Sequence, residues 1–238
     1  MVPASPREEA ASLHLCVSCQ APLESALLSP HLCGACGFPQ PLRNEETPFT
    51  LLGALPRFQQ DEAVLRSRFY ALSRALHPDR FAAATADARM YSIERMSRVN
   101  EAFRILRDRK LLREAILSLF EVGDQVKTPG VRTQEVKGAP PVELAEAWFE
   151  LQDAVMDDPS CASDKIRQFE SHLNQVRSAA EAQILEQEQA FDRSESQDRV
   201  ALLEISRILR ELAYLDSMVR DVVRLKSRFI ASPTSALG

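Results

Sequence analysis

The stretch RALHPDRFAA, residues 74–83, closes an apolar-periodic run with a histidine, a proline, an aspartate and an arginine in succession. Upstream, Leu65, Phe69, Leu72 and Leu76 recur at spacings of four, three and four, one face of an amphipathic helix between Asp61 and Leu76. Arg66, Tyr70 and Arg74 share a second face, which is basic and ends near His77. Pro78 stops the helix, because proline lacks a backbone donor and biases the preceding residue away from helical geometry. Helical spacing resumes near Ala86, with Met90, Ile93, Met96 or Ser97, Asn100, Phe103 and Leu106 on one stripe. The pair is predicted to close as an antiparallel hairpin with His77-Pro78-Asp79 at its exposed tip. A carboxylate at a rigid tip flanked by arginines suits a charged partner groove, since rim charges guide encounter and register. A catalytic histidine would need a paired acid and a pocket, which the tip lacks, so the chain reads as a non-enzyme.

Around this hairpin, composition sets the bounds. The 238 residues, 45% apolar and 26% charged, suffice for two small domains and a minor module. No run of about 20 apolar residues predicts a membrane span, and the opening MVPASPREEAASLHL resembles neither a secretory signal nor a transit peptide. A cytoplasmic protein is the default. A net charge of -5 argues against bulk nucleic-acid binding, so any positive patch should be local and matched to one acidic partner. The segment from Gly123 to Pro141 holds three glycines and three prolines without periodicity and reads as a linker. Beyond it, helices are expected over about Val142 to Met156, Ser163 to Phe191 and Ser194 to Ile230. The last carries Leu202, Ile205, Leu209, Leu212, Leu215, Val219, Val222, Leu225 and Phe229 at spacings of three and four, and the three should form an antiparallel bundle. Acidic runs such as EAQILEQEQAFD, residues 181–192, read as solvated faces.

Four of the five cysteines fall as Cys16-Val-Ser-Cys19 and Cys33-Gly-Ala-Cys36. Two residues between paired cysteines let a tight turn aim both sulfurs at one point, and the 13 residues between the pairs allow the second to fold back on the first. Gly34 and Gly37 favour that turn. Structural zinc fits best, because it accepts four thiolates and folds a segment too poor in apolar residues to fold unaided. An iron centre and a redox dithiol are the alternatives. His14 and His31 beside the ligands read as surface residues, and Cys161 as an unpaired loop or helix-start thiol.

HPDR between two such helices, followed by RVNEAFRIL at residues 98–106 and preceded by FTLLGALPRF at residues 49–58, resembles the J domain, which stimulates ATP hydrolysis by DnaK-class chaperones. The resemblance spans about Pro48 to Gly123. It implies that Asp79 engages the chaperone, that His77 and Pro78 fix the loop presenting it, and that Arg80, Arg66, Tyr70 and Arg74 complete the chaperone-binding face. RDRKLLREAILSLF, residues 107–120, resembles the end of the J domain in HscB-type co-chaperones of iron-sulfur cluster assembly, although Asp108-Arg109 replaces the usual Asp-Pro. ELAYLDSM at residues 211–218 and, less closely, WFELQDAV at residues 148–155 resemble the bundle of the same family. There one face binds an IscU-type scaffold, and the matching positions are Phe149, Glu150, Asp153 and Tyr214. Ala145 stands where the family often has a large apolar residue, a loss for which Trp148 could compensate.

The expected architecture is all-α: a four-cysteine zinc module over residues 10–42, a J domain over 48–122, a linker over 123–141 and a C-terminal three-helix bundle over 142–231. The expected function is that of a co-chaperone joining an HscA- or DnaK-class ATPase to an IscU-type scaffold, in a bacterial cytoplasm. Neither nucleic acid nor membrane is an expected partner, and the pattern is compatible with self-association. A general J protein for unfolded clients and a rubredoxin-like iron protein are the rivals.

Overall fold

The computed structural model describes residues 15–23, 30–122, 142–194 and 199–230. The linker, His14 and the residues preceding it fall outside these. The described residues are helical apart from two isolated bridges near the cysteines, and they form two compact units, Met1–Ile116 and Leu117–Gly238. None of their helices is long and apolar enough to cross a membrane.

In the first unit, α1 (Pro48–Leu52) is short but doubly capped. The Thr47 hydroxyl accepts the Thr50 N–H while the Thr50 hydroxyl accepts the Thr47 N–H, and Gly53 ends the helix in the left-handed region at φ 61°. Phe49, Leu51 and Leu52 are buried, each worth about 1.5–3 kcal/mol of transfer free energy. From α2 (Glu62–Ala75), Arg68 donates to the carbonyls of Leu52 and Gly53, satisfying acceptors at the end of α1. Leu65 and Leu76 are buried, and Phe69 stacks on Phe103 of α3 (Ala86–Arg107) with centroids 4.2 Å apart.

The buried face of α3 differs from the stripe expected of it. Met90 and Ile93 are 46% and 56% exposed, whereas Ala88, Ser92, Arg95, Val99, Ala102 and Leu106 are buried. These six recur at four, three, four, three and four, so the period is that of a helix, but two polar residues occupy its inner face. Ser92 is accommodated because its hydroxyl donates to the Leu76 carbonyl at 2.6 Å. The next break is retained without the usual proline. Asp108 adopts extended backbone, and its carboxylate accepts the N–H groups of Lys110 and Leu111 at 2.9 and 3.0 Å, capping α4 (Arg109–Leu119).

Arg95 is the largest fully buried side chain of α3, and its partners all come from residues 31–46, around and after the second cysteine pair and ahead of α1. Its guanidinium donates to the Gln40 carbonyl at 2.5 Å, the Pro41 carbonyl at 2.6 Å, a Glu46 carboxylate oxygen at 3.0 Å and His31 Nδ1 at 3.2 Å. The cysteine segment is therefore packed into the same unit as the helical hairpin.

In the second unit, α5 (Val142–Asp157), α6 (Ala162–Arg193) and α7 (Arg199–Ile230) share one core. Leu151 and Val155 meet Ile166, Phe169 and Leu173 of α6 and Leu215, Met218 and Val222 of α7. At a rise of 1.5 Å per residue, the two 32-residue helices each run about 48 Å. Arg177–Asp216 and Glu170–Lys226 ion pairs join them at 3.2 and 3.0 Å, but exposed pairs contribute about 0–1 kcal/mol each, so the apolar seam is what holds them together. Toward the start of α7, Ile208 is buried rather than Leu209, because it lies one turn on from Ile205. Residues 195–198, expected at the start of the last helix, lie outside the described set. Glu188 of the acidic run is buried at 3% exposure instead of solvated.

Replacing Arg95 by methionine keeps most of the volume but leaves Glu46 and two carbonyls without their donor. Arg95→Met is expected to destabilise the first unit by about 3–5 kcal/mol, the cost of breaking a buried ion pair. Urea denaturation followed by far-ultraviolet circular dichroism checks this, and an unchanged transition would refute it.

Candidate functional site

The two cysteine pairs are built alike. In each, the first cysteine's N–H bonds to a carbonyl five residues on, Cys16 to Ala21 and Cys33 to Phe38, both at 2.9 Å. Its own carbonyl accepts the N–H four residues on, from Gln20 at 3.0 Å and Gly37 at 2.8 Å, and Leu15–Pro22 and Leu32–Pro39 bridges close the knuckles. The turn requires a positive φ at its fifth position, 61° at Gln20 and 70° at Gly37. Glycine adopts this without strain, so Gly37 suits the second turn, while Gln20 holds the same conformation in the first at some cost; a Cβ at Gly34 would meet nothing within 4 Å.

The four Sγ atoms lie within 4.8 Å of one another, with Cys16–Cys36 and Cys19–Cys33 both at 3.7 Å. A tetrahedral ion about 2.3 Å from four sulfurs demands edges of about 3.8 Å, so the cluster has the dimensions of a thiolate metal site. Cys16 and Cys33 form its buried side, Cys19 and Cys36 its exposed side. Burial pushes the Cys16 thiol up, but donors from the Cys19 and Ser18 backbone, the Gln40 amide and Cys33 outweigh it and bring it down to about 6. Cys36 moves the other way: the Phe38 N–H favours its thiolate, yet burial and the surrounding Cys19, Cys33 and Cys16 raise it to about 12. Four crowded sulfurs cannot all be anionic without a cation among them, and a bound metal ion would supply that charge.

Gln40 and His31 connect this cluster to the hairpin. The Gln40 amide donates to Cys16 Sγ at 3.3 Å and to the Phe38 carbonyl at 2.7 Å, and accepts the Val17 N–H at 3.2 Å. His31, expected at the surface, is 4% exposed. Its Nε2 donates to the Leu51 carbonyl at 2.8 Å, leaving Nδ1 as the acceptor for Arg95. Burial, reinforced by the Arg95 charge, pushes it down to about 4, so the ring is neutral at neutral pH.

The hairpin tip is a 3-10 turn, Pro78–Phe81, capped by His77, whose Nδ1 accepts the Asp79 N–H at 3.3 Å. Turned outward, the Asp79 side chain is 91% exposed. Tyr70, Arg74, His77 and Arg80 line one open concavity with Ser67 and Ser73. Arg74 and Arg80 make no ion pair among the described residues, and the buried Ser73 hydroxyl has no hydrogen-bond partner. Arg66 lies outside that lining and is engaged, donating at 2.7 Å to Glu62, which also pairs with Arg107 at 2.9 Å.

On the bundle, Phe149 is 63% exposed, with Glu150 and Asp153 exposed beside it on α5. Met156, one heptad beyond Phe149 and absent from the sequence expectation, is 73% exposed. Tyr214 is half-buried against the core cluster, and Trp148 packs inward with its ring 5.5 Å from Phe169. Phe149 and Tyr214 thus belong to different helices around one core. The spacing of Phe149 and Met156 was a usable signal for the second. Nothing local in the sequence marked Gln40, Arg95 or Ser92, whose partners are remote.

No protein-family model matches the chain. The HscB co-chaperone homologue of Shewanella baltica strain OS223 is 30% identical over 179 residues, which are 73% of this chain and 98% of that relative. The Haemophilus influenzae homologue is 36% identical over 89 residues, 37% of this chain and 51% of its own. Among solved structures, the crystal structure of human co-chaperone protein HscB shares the fold with a TM-score of 0.54 at 19% identity, covering 90% of this chain and 98% of that one. An exposed aspartate on a two-helix hairpin, a helical bundle in the second unit and alignment with 98% of a relative at 30% identity lead to one assignment: the chain belongs to the HscB co-chaperone family.

Proposed function

We propose that this protein couples an HscA- or DnaK-class ATPase to an IscU-type iron-sulfur scaffold, stimulating ATP hydrolysis through its hairpin tip and holding the scaffold on its bundle. The observation that carries the reading is the Asp79 carboxylate, 91% exposed on a turn that His77 and Pro78 hold rigid. An anion on a capped turn loses little freedom on pairing with a cationic groove, and Arg74 and Arg80, which make no ion pair among the described residues, would steer the approach of an acidic rim. On the second unit, Phe149 and Met156 offer apolar area ringed by Glu150 and Asp153, which suits a scaffold surface with an apolar centre and basic rim. The proposed chaperone face is His77, Pro78, Asp79, Arg80, Arg66, Tyr70 and Arg74, and the scaffold face is Phe149, Glu150, Asp153 and Tyr214. Joining the two would bring the cluster-loaded scaffold to the ATPase as hydrolysis tightens its grip, and no bond is made or broken by this chain.

Zinc is the proposed ion at Cys16, Cys19, Cys33 and Cys36, where it would serve structure alone. A reducing cytoplasm suits four free thiols.

Three results test the reading. Asp79→Asn is expected to lower ATPase stimulation at least tenfold while scaffold affinity, by titration calorimetry, stays within twofold; persistent stimulation would sink the chaperone assignment. Conversely, Phe149→Ala and Tyr214→Ala should each weaken scaffold binding about tenfold, near 1.4 kcal/mol, and leave stimulation without scaffold unchanged. Elemental analysis should find one zinc per colourless chain, and visible thiolate absorption would mean iron instead.

A further inference from the structure

The buried contacts between the cysteine cluster and the hairpin form a continuous chain that ends at the tip. Gln40 is 1% exposed and touches both systems: its side-chain amide donates to Cys16 Sγ at 3.3 Å, and its main-chain carbonyl receives Arg95 Nε at 2.5 Å. The second knuckle reaches the same arginine through His31, two residues before Cys33, at 3.2 Å. Arg95 lies one turn along α3 from Ser92, whose hydroxyl donates at 2.6 Å to the Leu76 carbonyl. Leu76 is the last residue before His77, and it is fully buried. An ion that ties the two knuckles together therefore also fixes the cradle of acceptors around Arg95.

We propose that metal occupancy of the four-cysteine site governs the order of the His77-Pro78-Asp79 turn, through Gln40, Arg95 and Ser92. This rests on the metal reading above. The guanidinium is buried and needs all its acceptors at once. Residues 31, 40 and 41 adjoin knuckles whose small core, among the described residues, is Cys16, Leu23 and Cys33 with Ala21 and Phe38 at its edge. Loss of the ion frees the knuckles, the cradle loosens, and a buried arginine with partial satisfaction destabilises the helix that carries it. Ser92 then no longer pins the end of α2. Gln40 and Arg95 are positioning residues in this scheme, and neither touches a partner.

The test uses the full chain under reducing conditions, loaded with zinc or stripped by a chelator, and reads amide hydrogen exchange by mass spectrometry. Zinc uptake is measured first, by competition with a chromophoric chelator; no uptake by the wild type would overturn both the metal reading and this inference. With uptake established, stripping is expected to speed exchange at least tenfold in peptides spanning residues 72–81 and 86–107. Faster exchange confined to residues 15–41 would overturn the coupling and leave the metal reading intact. Gln40→Met retains the carbonyl that Arg95 binds and removes the amide at Cys16. It should bind zinc about tenfold more weakly while the zinc-saturated hairpin exchanges as in the wild type. Arg95→Lys keeps the charge near Glu46 but cannot span the acceptors, so its hairpin should exchange equally with and without zinc. A wild-type response in Arg95→Lys, or wild-type affinity in Gln40→Met, would refute the relay.

Discussion

The first unit depends on one buried guanidinium. Arg95 sits on the inner face of α3 with no exposure, and burying a cation is tolerable only where its donors are met and its charge is countered. Glu46 counters the charge at 3.0 Å, and two carbonyls and a neutral histidine take the remaining donors. The requirement runs both ways. Besides the edge-to-face contact of Phe38 with Tyr91, the arginine gives the cysteine segment a polar anchor with strict geometry. His31 must stay neutral beside Arg95, and its burial ensures that.

The two proposed contact surfaces present different physics. The hairpin tip presents a fixed charge: Pro78 removes a donor, His77 caps the turn, and Asp79 stands free in solvent where its field extends outward. The bundle presents apolar area instead, on a helix whose other face is fully committed to the core. Trp148 and Phe149 are adjacent in sequence and point to opposite environments because successive residues on a helix lie about 100° apart. In general, exposed charge accelerates encounter, whereas apolar contact sustains residence.

The legible parts of this fold were those governed by local periodicity or short-range chemistry. Leu65 and Leu76 are buried and Phe69 stacks on Phe103, as the spacing of the stripe implies, and cysteines separated by two residues converge as their turns require. The inner face of α3 was misread because Met90 and Ile93 are the more apolar residues, yet Ser92 and Arg95 take the interior. A polar residue can displace an apolar one from the core when remote groups satisfy it, and no local pattern reveals such groups. His31 was misplaced for the same reason: its partners are Leu51 and Arg95, 20 and 64 residues away.

By itself, the sequence determined the long helices, the break at Pro78, the thiolate cluster and the exposed Asp79, because each follows from the chemistry of neighbours within a few residues. Only the tertiary structure decided how the cysteine knuckles join the hairpin, since that junction is made of hydrogen bonds between segments about 50 residues apart, and their donors and acceptors satisfy one another only once the chain has folded.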